Sequence, residues 1–296
     1  IGTLDFNFVF IYLSPILIII LLFNIGGLEK DLSFDQLIYL QNITKGQWLV
    51  SRFLFYYIIT IILLFGLVLS YALIAGVYNN DTYNLIGLLF TIGIYTSFWF
   101  TIFYFINYHS NGSSDQAIKM ISTWLAFCII IPGIIHQVAS IKHPTNYMTD
   151  YLDVSRDQSN NIFELSADSL RTKLLDEFPS LEKTQFANDT SMNKSIINRS
   201  VSGLVNNLNK NIALKIENSN EEKNNFIKRF NPINPITAFQ NKLNALTDTD
   251  YFAYLRYRKY IQTIIDKKIA LILEDTWNKV TVNKKRYIEY IEKFKL

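Results

Sequence analysis

The stretch FLFYYIITIILLFGLVLSYALIAGV, Phe53 to Val77, carries no charge in twenty-five consecutive residues. The hydrocarbon core of a bilayer is about 30 Å thick and needs about 20 apolar residues in a helix to cross it. Three further runs meet that requirement. One covers Phe6 to Ile25, with Pro15 inside it; one covers Leu85 to Ile106; one covers Ile118 to Val138, with Lys119 at its edge and Pro132-Gly133 towards its far end. A proline inside a span removes a backbone donor, which a neighbouring helix or a hydroxyl such as that of Ser14 can partly replace. A soluble core helix accounts poorly for four such runs within the first 140 residues. The expectation is an all-α, polytopic helical membrane protein, with residues 1–139 forming a transmembrane domain of four spans at about 6–25, 53–77, 85–106 and 118–138.

The second half has a different composition. The first 119 residues hold four basic and six acidic side chains, whereas the rest holds twenty-four and nineteen. Residues 140–296 are therefore expected to form a mostly helical, water-soluble domain, long enough for a core of its own. Ser166 suits the cap of a helix through Glu177, ended by Pro179. Apolar residues at Ile197, Val201, Leu204, Val205, Leu208, Ile212 and Ile216 mark one face of a long helix. The pairs Asn231-Pro232 and Asn234-Pro235 break it. A shorter helix then carries Ile236, Phe239, Leu243 and Leu246. Thr247 to Asp250 can start a third long helix whose stripe is Tyr251, Tyr254, Tyr257 and Ile261, bordered by Arg256, Arg258 and Lys259. At helical spacing such a stripe is most often core or a domain-packing surface, with ligand stacking the lesser option. The last apolar positions are Tyr287, Ile288, Ile291 and Phe294. No alternating strand pattern and no repeat are visible.

Short loops set the orientation. The connection Gly27 to Arg52 carries Lys30, Lys45 and Arg52, and the connection Asn107 to Lys119 carries Lys119. The connection Tyr78 to Asn84 has no Lys or Arg. The positive-inside rule puts the first and third connections in the cytoplasm and the second outside, so residues 140–296 are expected to be extracytoplasmic. The connection 27–52 holds Leu37, Leu40 and Ile43 near helical spacing. It reads as an amphipathic helix lying on the cytoplasmic membrane surface or against a partner.

Several function classes are excluded or disfavoured. A net charge of +3 gives no footprint for nucleic acid. No G-x-x-x-x-G-K-[ST] loop, H-E-x-x-H helix or G-x-S-x-G elbow occurs. The one cysteine, Cys128, lies in an apolar run and suits neither a disulfide nor an activated thiolate. His136 and His143 flank the exit of the fourth span, but two separated imidazoles are a weak metal signal. No catalytic, cofactor-binding or metal residue is assigned, and the chain is expected to be a non-catalytic subunit. Triplets such as Asn188-Asp189-Thr190 would accept glycans only in a host that glycosylates them. No charge lies well inside a span, which argues against a proton- or ion-coupled carrier. The chain begins at Ile1 and lacks signal-peptide architecture, so it reads as trimmed at its start.

The run Leu4-Asp5-Phe6, then Pro15, Glu29-Lys30-Asp31, Leu40 to Lys45 and Ser51-Arg52 resembles the permease subunits of ABC-2 type transporters. The later residues His143-Pro144, Leu174 to Pro179, Asn234-Pro235 and Asn244 to Asp250 resemble a subgroup with a large extracytoplasmic domain before the last span. The resemblance covers most of the chain through loose motifs. It implies a further span before Ile1 and another after Leu296. It also implies a cytoplasmic (inner) membrane location, a pairing of two permease chains (homo- or heterodimer), and separate ABC ATPase subunits that hydrolyse ATP. The implied activity is ATP-driven movement of an unidentified substrate, with export as the expected direction. The residues expected to couple to the ATPase are Glu29, Leu37, Leu40, Thr44, Lys45 and Arg52. The rival reading is a membrane-anchored sensor or adaptor whose outer domain binds a protein partner.

Overall fold

A computed structural model describes residues 6–40, 42–76, 82–144, 148–187 and 194–293, with side chains omitted at 39, 148–150, 292 and 293. The chain is helical throughout, with no strand among the described residues. Helix α1 (6–22) comprises Phe6–Phe8, a π-helical stretch Val9–Leu13, and Ser14–Leu22. Two short helices follow, α2 (Gly27–Asp31) and α3 (Asp35–Tyr39). Then come α4 (Lys45–Ile74), α5 (Thr82–His109) and α6 (Ser113–Lys142), the last with a π-helical stretch at Ala126–Ile130. The second half holds α7 (148–163), α8 (Ala167–Glu177), α9 (Lys194–Lys228), α10 (Pro235–Leu246), α11 (Tyr251–Trp277) and α12 (Lys284–Lys293).

Four segments, Phe6–Asp31, Lys45–Ile74, Thr82–His109 and Ser113–Lys142, are long and apolar enough to cross a membrane. They match the four expected spans, and most overrun them at one or both ends, because polar residues continue the helix outside the apolar run; the second stops at Ile74, and Val77 lies outside the described residues. Ser113 and Asp115, for example, form the first turn of α6, where an acidic side chain favours the helix N-terminus. Apolar side chains point outward as well as inward. Ile58, Ile59, Ile62, Leu63, Leu69 and Leu73 of α4 are all exposed. So much apolar surface is that of a membrane-embedded protein.

The chain forms two compact units that do not follow the expected division at 139/140. The first is Ile1–Val138 together with Ile227–Ala253; the second is Ala139–Phe226 together with Tyr254–Leu296. In the first unit, α5 is the central helix and packs on α1, α4, α6 and α10. Its Trp99 is fully buried among Tyr95, Phe98, Phe103 and Phe127. Helix α10, expected with the soluble half, buries Ile236 and Leu243 in this core, and Phe239 lies 4.6 Å from the Tyr95 ring. Asn234 caps α10 by accepting from the Thr237 amide, and Pro235 sits at the first turn, where a missing N–H costs nothing.

The π stretches explain how the spans carry proline. In α-helical register Pro15 would donate to Ile11, and in π register to Phe10. Both carbonyls are served by hydroxyls. Tyr95 of α5 donates to the Ile11 carbonyl at 2.6 Å, and Ser14 donates to the Phe10 carbonyl at 2.5 Å. The second π stretch likewise ends two residues before a proline, Pro132.

The second unit packs α8, α9 and α11 around Leu170, Leu174, Ile197, Val201, Leu204, Leu273 and Trp277. Ser166 caps α8 as expected, and the long stripe of α9 is largely buried. The Trp277 indole N–H donates to Ser200 at 2.8 Å, and Phe186 meets its ring edge-on. Gly203 permits a close crossing, since a Cβ there would lie 2.8 Å from the Leu273 side chain. Tyr254 and Tyr257 of the tyrosine stripe are exposed and not part of the core, because α11 buries the face that carries Leu255, Leu273 and Trp277. In α12 the exposed residues are Tyr287, Ile288 and Ile291, whereas Tyr290 is buried against Asp275. Asn188 and Phe294 lie outside the described residues.

Candidate functional site

The connection between the first two spans is the expected coupling element. It is not one amphipathic helix. Ser33 and Asn42 adopt left-handed backbone angles, φ 60° and 62°, which end α2 and separate α3 from α4. Two short helices and a capped span start take the place of the single helix.

Each expected residue has a distinct place. Glu29 accepts from the Gly26 amide at 3.0 Å and so caps α2. Thr44 caps α4, accepting from the Gln47 amide while Gln47 reaches back to the Thr44 amide at 3.1 Å. Lys45 donates to the Tyr108 carbonyl at the end of α5, with its ammonium 5.0 Å from the Tyr108 ring centroid. Arg52 lies over the Trp48 ring at 5.4 Å. Leu37 and Leu40 contact no core; they are 58% and 81% exposed, and Leu28, Leu32 and Phe34 are exposed as well. The expected set thus separates into residues that shape the connection and residues it presents outward.

Beneath the connection is a polar joint that the sequence did not reveal. Asn107, fully buried near the end of α5, donates to the Leu22 carbonyl at 2.8 Å and the Ile25 carbonyl at 3.2 Å. Gln116 of α6, also buried, donates to the same Ile25 carbonyl at 3.1 Å. These two amides serve carbonyls where α1 ends: that of Ile25, and that of Leu22 in addition to its bond from the Ile25 amide. Gly26, at φ +81°, turns the chain there. Gly27 is in closer contact still: a Cβ would fall 2.4 Å from Gln116 Oε1 and 2.6 Å from the Ser113 backbone nitrogen.

Charged groups surround the joint. Asp31 accepts from the Ser113 amide at 3.1 Å, Lys30 donates to the Ser110 carbonyl at 3.2 Å, and Asp115 pairs with Lys119 at 2.6 Å. The connection after the first span is therefore keyed to the turn between α5 and α6. The signal available in the sequence was the Gly26-Gly27 pair directly after an apolar run, and the amides at 107 and 116 just outside two spans. Amide side chains at span ends look the same whether they face water or a carbonyl.

The fold and the joint define a membrane-embedded helical protein with an anchored, outward-facing connection between its first two spans. Comparison with known protein families, with curated proteins and with solved structures returns no match.

Proposed function

We propose that the chain is a permease subunit of an ATP-driven ABC-2 type transporter, with its first connection as the docking and coupling element for a separate ATPase. One observation carries the reading. The connection is fixed to the bundle through Gly27, Asp31, Lys30 and Lys45, while Leu32, Phe34, Leu37 and Leu40 face outward. A partner that gripped those apolar side chains would move the end of α1 and the α5–α6 turn together. Buried Asn107 Oδ1 and Gln116 Oε1 have no hydrogen-bond partner among the described residues. Spare acceptors of that kind let hydrogen bonds exchange when the connection shifts.

In this reading Leu37 and Leu40 contact the ATPase, Glu29 and Thr44 hold the shape by capping, and Lys45 and Arg52 link the element to the bundle and the second span. Two permease chains pair in the cytoplasmic membrane, residues 27–52 lie on the cytoplasmic side, and the second unit lies outside. Export is the expected direction of transport.

The test is co-purification of the whole chain from its native cells, followed by a search for a phosphate-loop ATPase. The ATPase should accompany the natural chain and be lost from the double variant Leu37→Asp/Leu40→Asp, whose substitutions sit at exposed positions and leave the bundle intact. Charge reversal at Lys45 or Arg52 should keep the ATPase bound but lower the stimulation of its activity. Absence of an ATPase, or equal recovery with the double variant, would refute the assignment. A bound kinase or transcription regulator would instead support the sensor or adaptor reading.

A further inference from the structure

Within the first unit, α10 roofs a cavity of about 630 Å³ between α1, α4 and α5. Its floor is apolar, formed by Phe10, Val68, Ala72, Leu85 and Leu88, and the roof adds Leu243. Its rim is made of neutral amides and hydroxyls, Asn7, Gln240, Asn244, Thr247 and Thr249 among them. Asn7 donates to Asn244, tethering the roof to α1. Leu246 of the roof fits over Gly87 of α5, where a Cβ would lie 3.0 Å from its Cδ2. The size is in the range of ligand sites, roughly 300–1,000 Å³.

The electrostatics of the rim are one-sided. Among the described lining residues there is no lysine or arginine, and the one charged side chain is that of Asp248. The C-terminal end of α10 also points here. Its last turns offer carbonyls already engaged by Thr247 and Thr249, and the helix dipole is negative at this end. Asp248 holds a left-handed conformation, φ 50°, in the turn that carries these groups.

We propose that this cavity binds an amphiphile with one apolar tail and an amine or ammonium headgroup. The tail lies along Phe10, Val68, Leu85 and Leu88, and the head reaches the Thr247–Thr249 turn and Asp248. An anionic headgroup meets no lysine or arginine among the described lining residues and faces the negative end of α10. The proposal concerns binding alone and does not depend on the transporter reading.

The test uses the purified whole chain in a neutral maltoside detergent. Two photo-crosslinkers of equal tail length are compared, a diazirine-bearing alkylamine and the matching alkylcarboxylate, and the labelled peptides are mapped by mass spectrometry. The amine should label peptides containing Phe10, Leu85–Leu88 and Leu243–Thr249 in preference to the carboxylate, by about five- to tenfold, equivalent to roughly 1 kcal/mol of charge preference. Leu88→Trp, which fills the floor, should abolish that labelling. Asp248→Asn, at an exposed turn, should bring the two probes towards equality while the protein stays folded. Competition by soluble dodecylamine alone would identify a free amphiphile as the occupant, and competition by the single-tailed lysophosphatidylethanolamine a lipid headgroup. Equal labelling by both probes in the natural chain, labelling unchanged in both variants, or failure of both competitors would overturn the proposal.

Discussion

The two compact units solve the same problem, the joining of helices, with different chemistry. In the first unit most polar links between spans are neutral, and those that use a charge, Lys45 to the Tyr108 carbonyl and Asp31 to the Ser113 amide, lie at the span ends. Tyr95 donates to a proline-freed carbonyl of α1, Asn107 and Gln116 donate to carbonyls where that helix ends, and Tyr57 meets Ser97 at 2.9 Å. Among the described residues the ion pair of that unit, Asp115 with Lys119, lies in the first turns of α6, at the end of its span. In the second unit, α9 and α11 are joined by Lys210–Asp266 at 2.6 Å and Arg258–Glu217 at 3.2 Å, and α11 is joined to α12 by Arg286–Asp275 at 2.9 Å. The reason is the surroundings of each unit. Charge is costly in hydrocarbon, and an unserved carbonyl there has no water to turn to, so amides and hydroxyls are the economical link. In water the loss of hydration on pairing is partial, and ion pairs can frame an aromatic and aliphatic core.

The comparison can be broken most severely at the core of the second unit. Trp277→Ala removes a fully buried indole, its hydrogen bond to Ser200 and its contact with Phe186. Such truncations cost about 3–5 kcal/mol. Limited proteolysis should then cut the second unit while fragments of the first stay protected. Next in size is Gly27→Val in the joint. Its Cβ meets backbone of Ser113, which cannot move like a side-chain tip. Overpacking of this kind costs about 1–3 kcal/mol. Thermal unfolding in detergent should show the loss, and the Gln116–Ile25 hydrogen bond should be the first to open in hydrogen exchange.

The ionic side of the comparison is tested by Asp275. Its carboxyl is held below the ordinary value mainly by the Arg286 guanidinium, with the Tyr290 hydroxyl adding to the effect and burial opposing it. Because the folded value is lowered, the stabilisation is complete above the ordinary carboxylate value near 4 and is lost as pH falls through the lowered one. Asp275→Asn should cost about 1–2 kcal/mol at neutral pH, as expected for charge-assisted hydrogen bonds, and should flatten the acid limb of the stability profile of the second unit. The smallest expected effect is that of Tyr95→Phe, about 1 kcal/mol, from loss of one hydrogen bond to the Ile11 carbonyl. An added Pro15→Ala substitution should offset it, since residue 15 could then donate to that carbonyl. If the Tyr95 effect were unchanged in the Pro15→Ala background, the link between the proline and the hydroxyl would be refuted.

The sequence by itself determined the four apolar helices, because an uncharged run of about twenty residues has few other stable solutions. It also determined the cap at Ser166 and the share of Ser14 in compensating Pro15, because those depend on residues close together in the chain. Of the candidate coupling set, it located the segment but not the roles. Glu29 and Thr44 are caps, and Leu37 and Leu40 are the exposed apolar surface. Only the tertiary structure decided that α10 belongs with the spans, that Tyr254 and Tyr257 face outward, and that Asn107 and Gln116 meet at one carbonyl. Periodicity identifies which residues of a helix share a face, but the neighbour that covers the face comes from far along the chain. Ile236 and Leu243 carry the same signal whether they pack on a soluble core or on Tyr95 and Leu85, and only the packing of distant helices distinguishes the two.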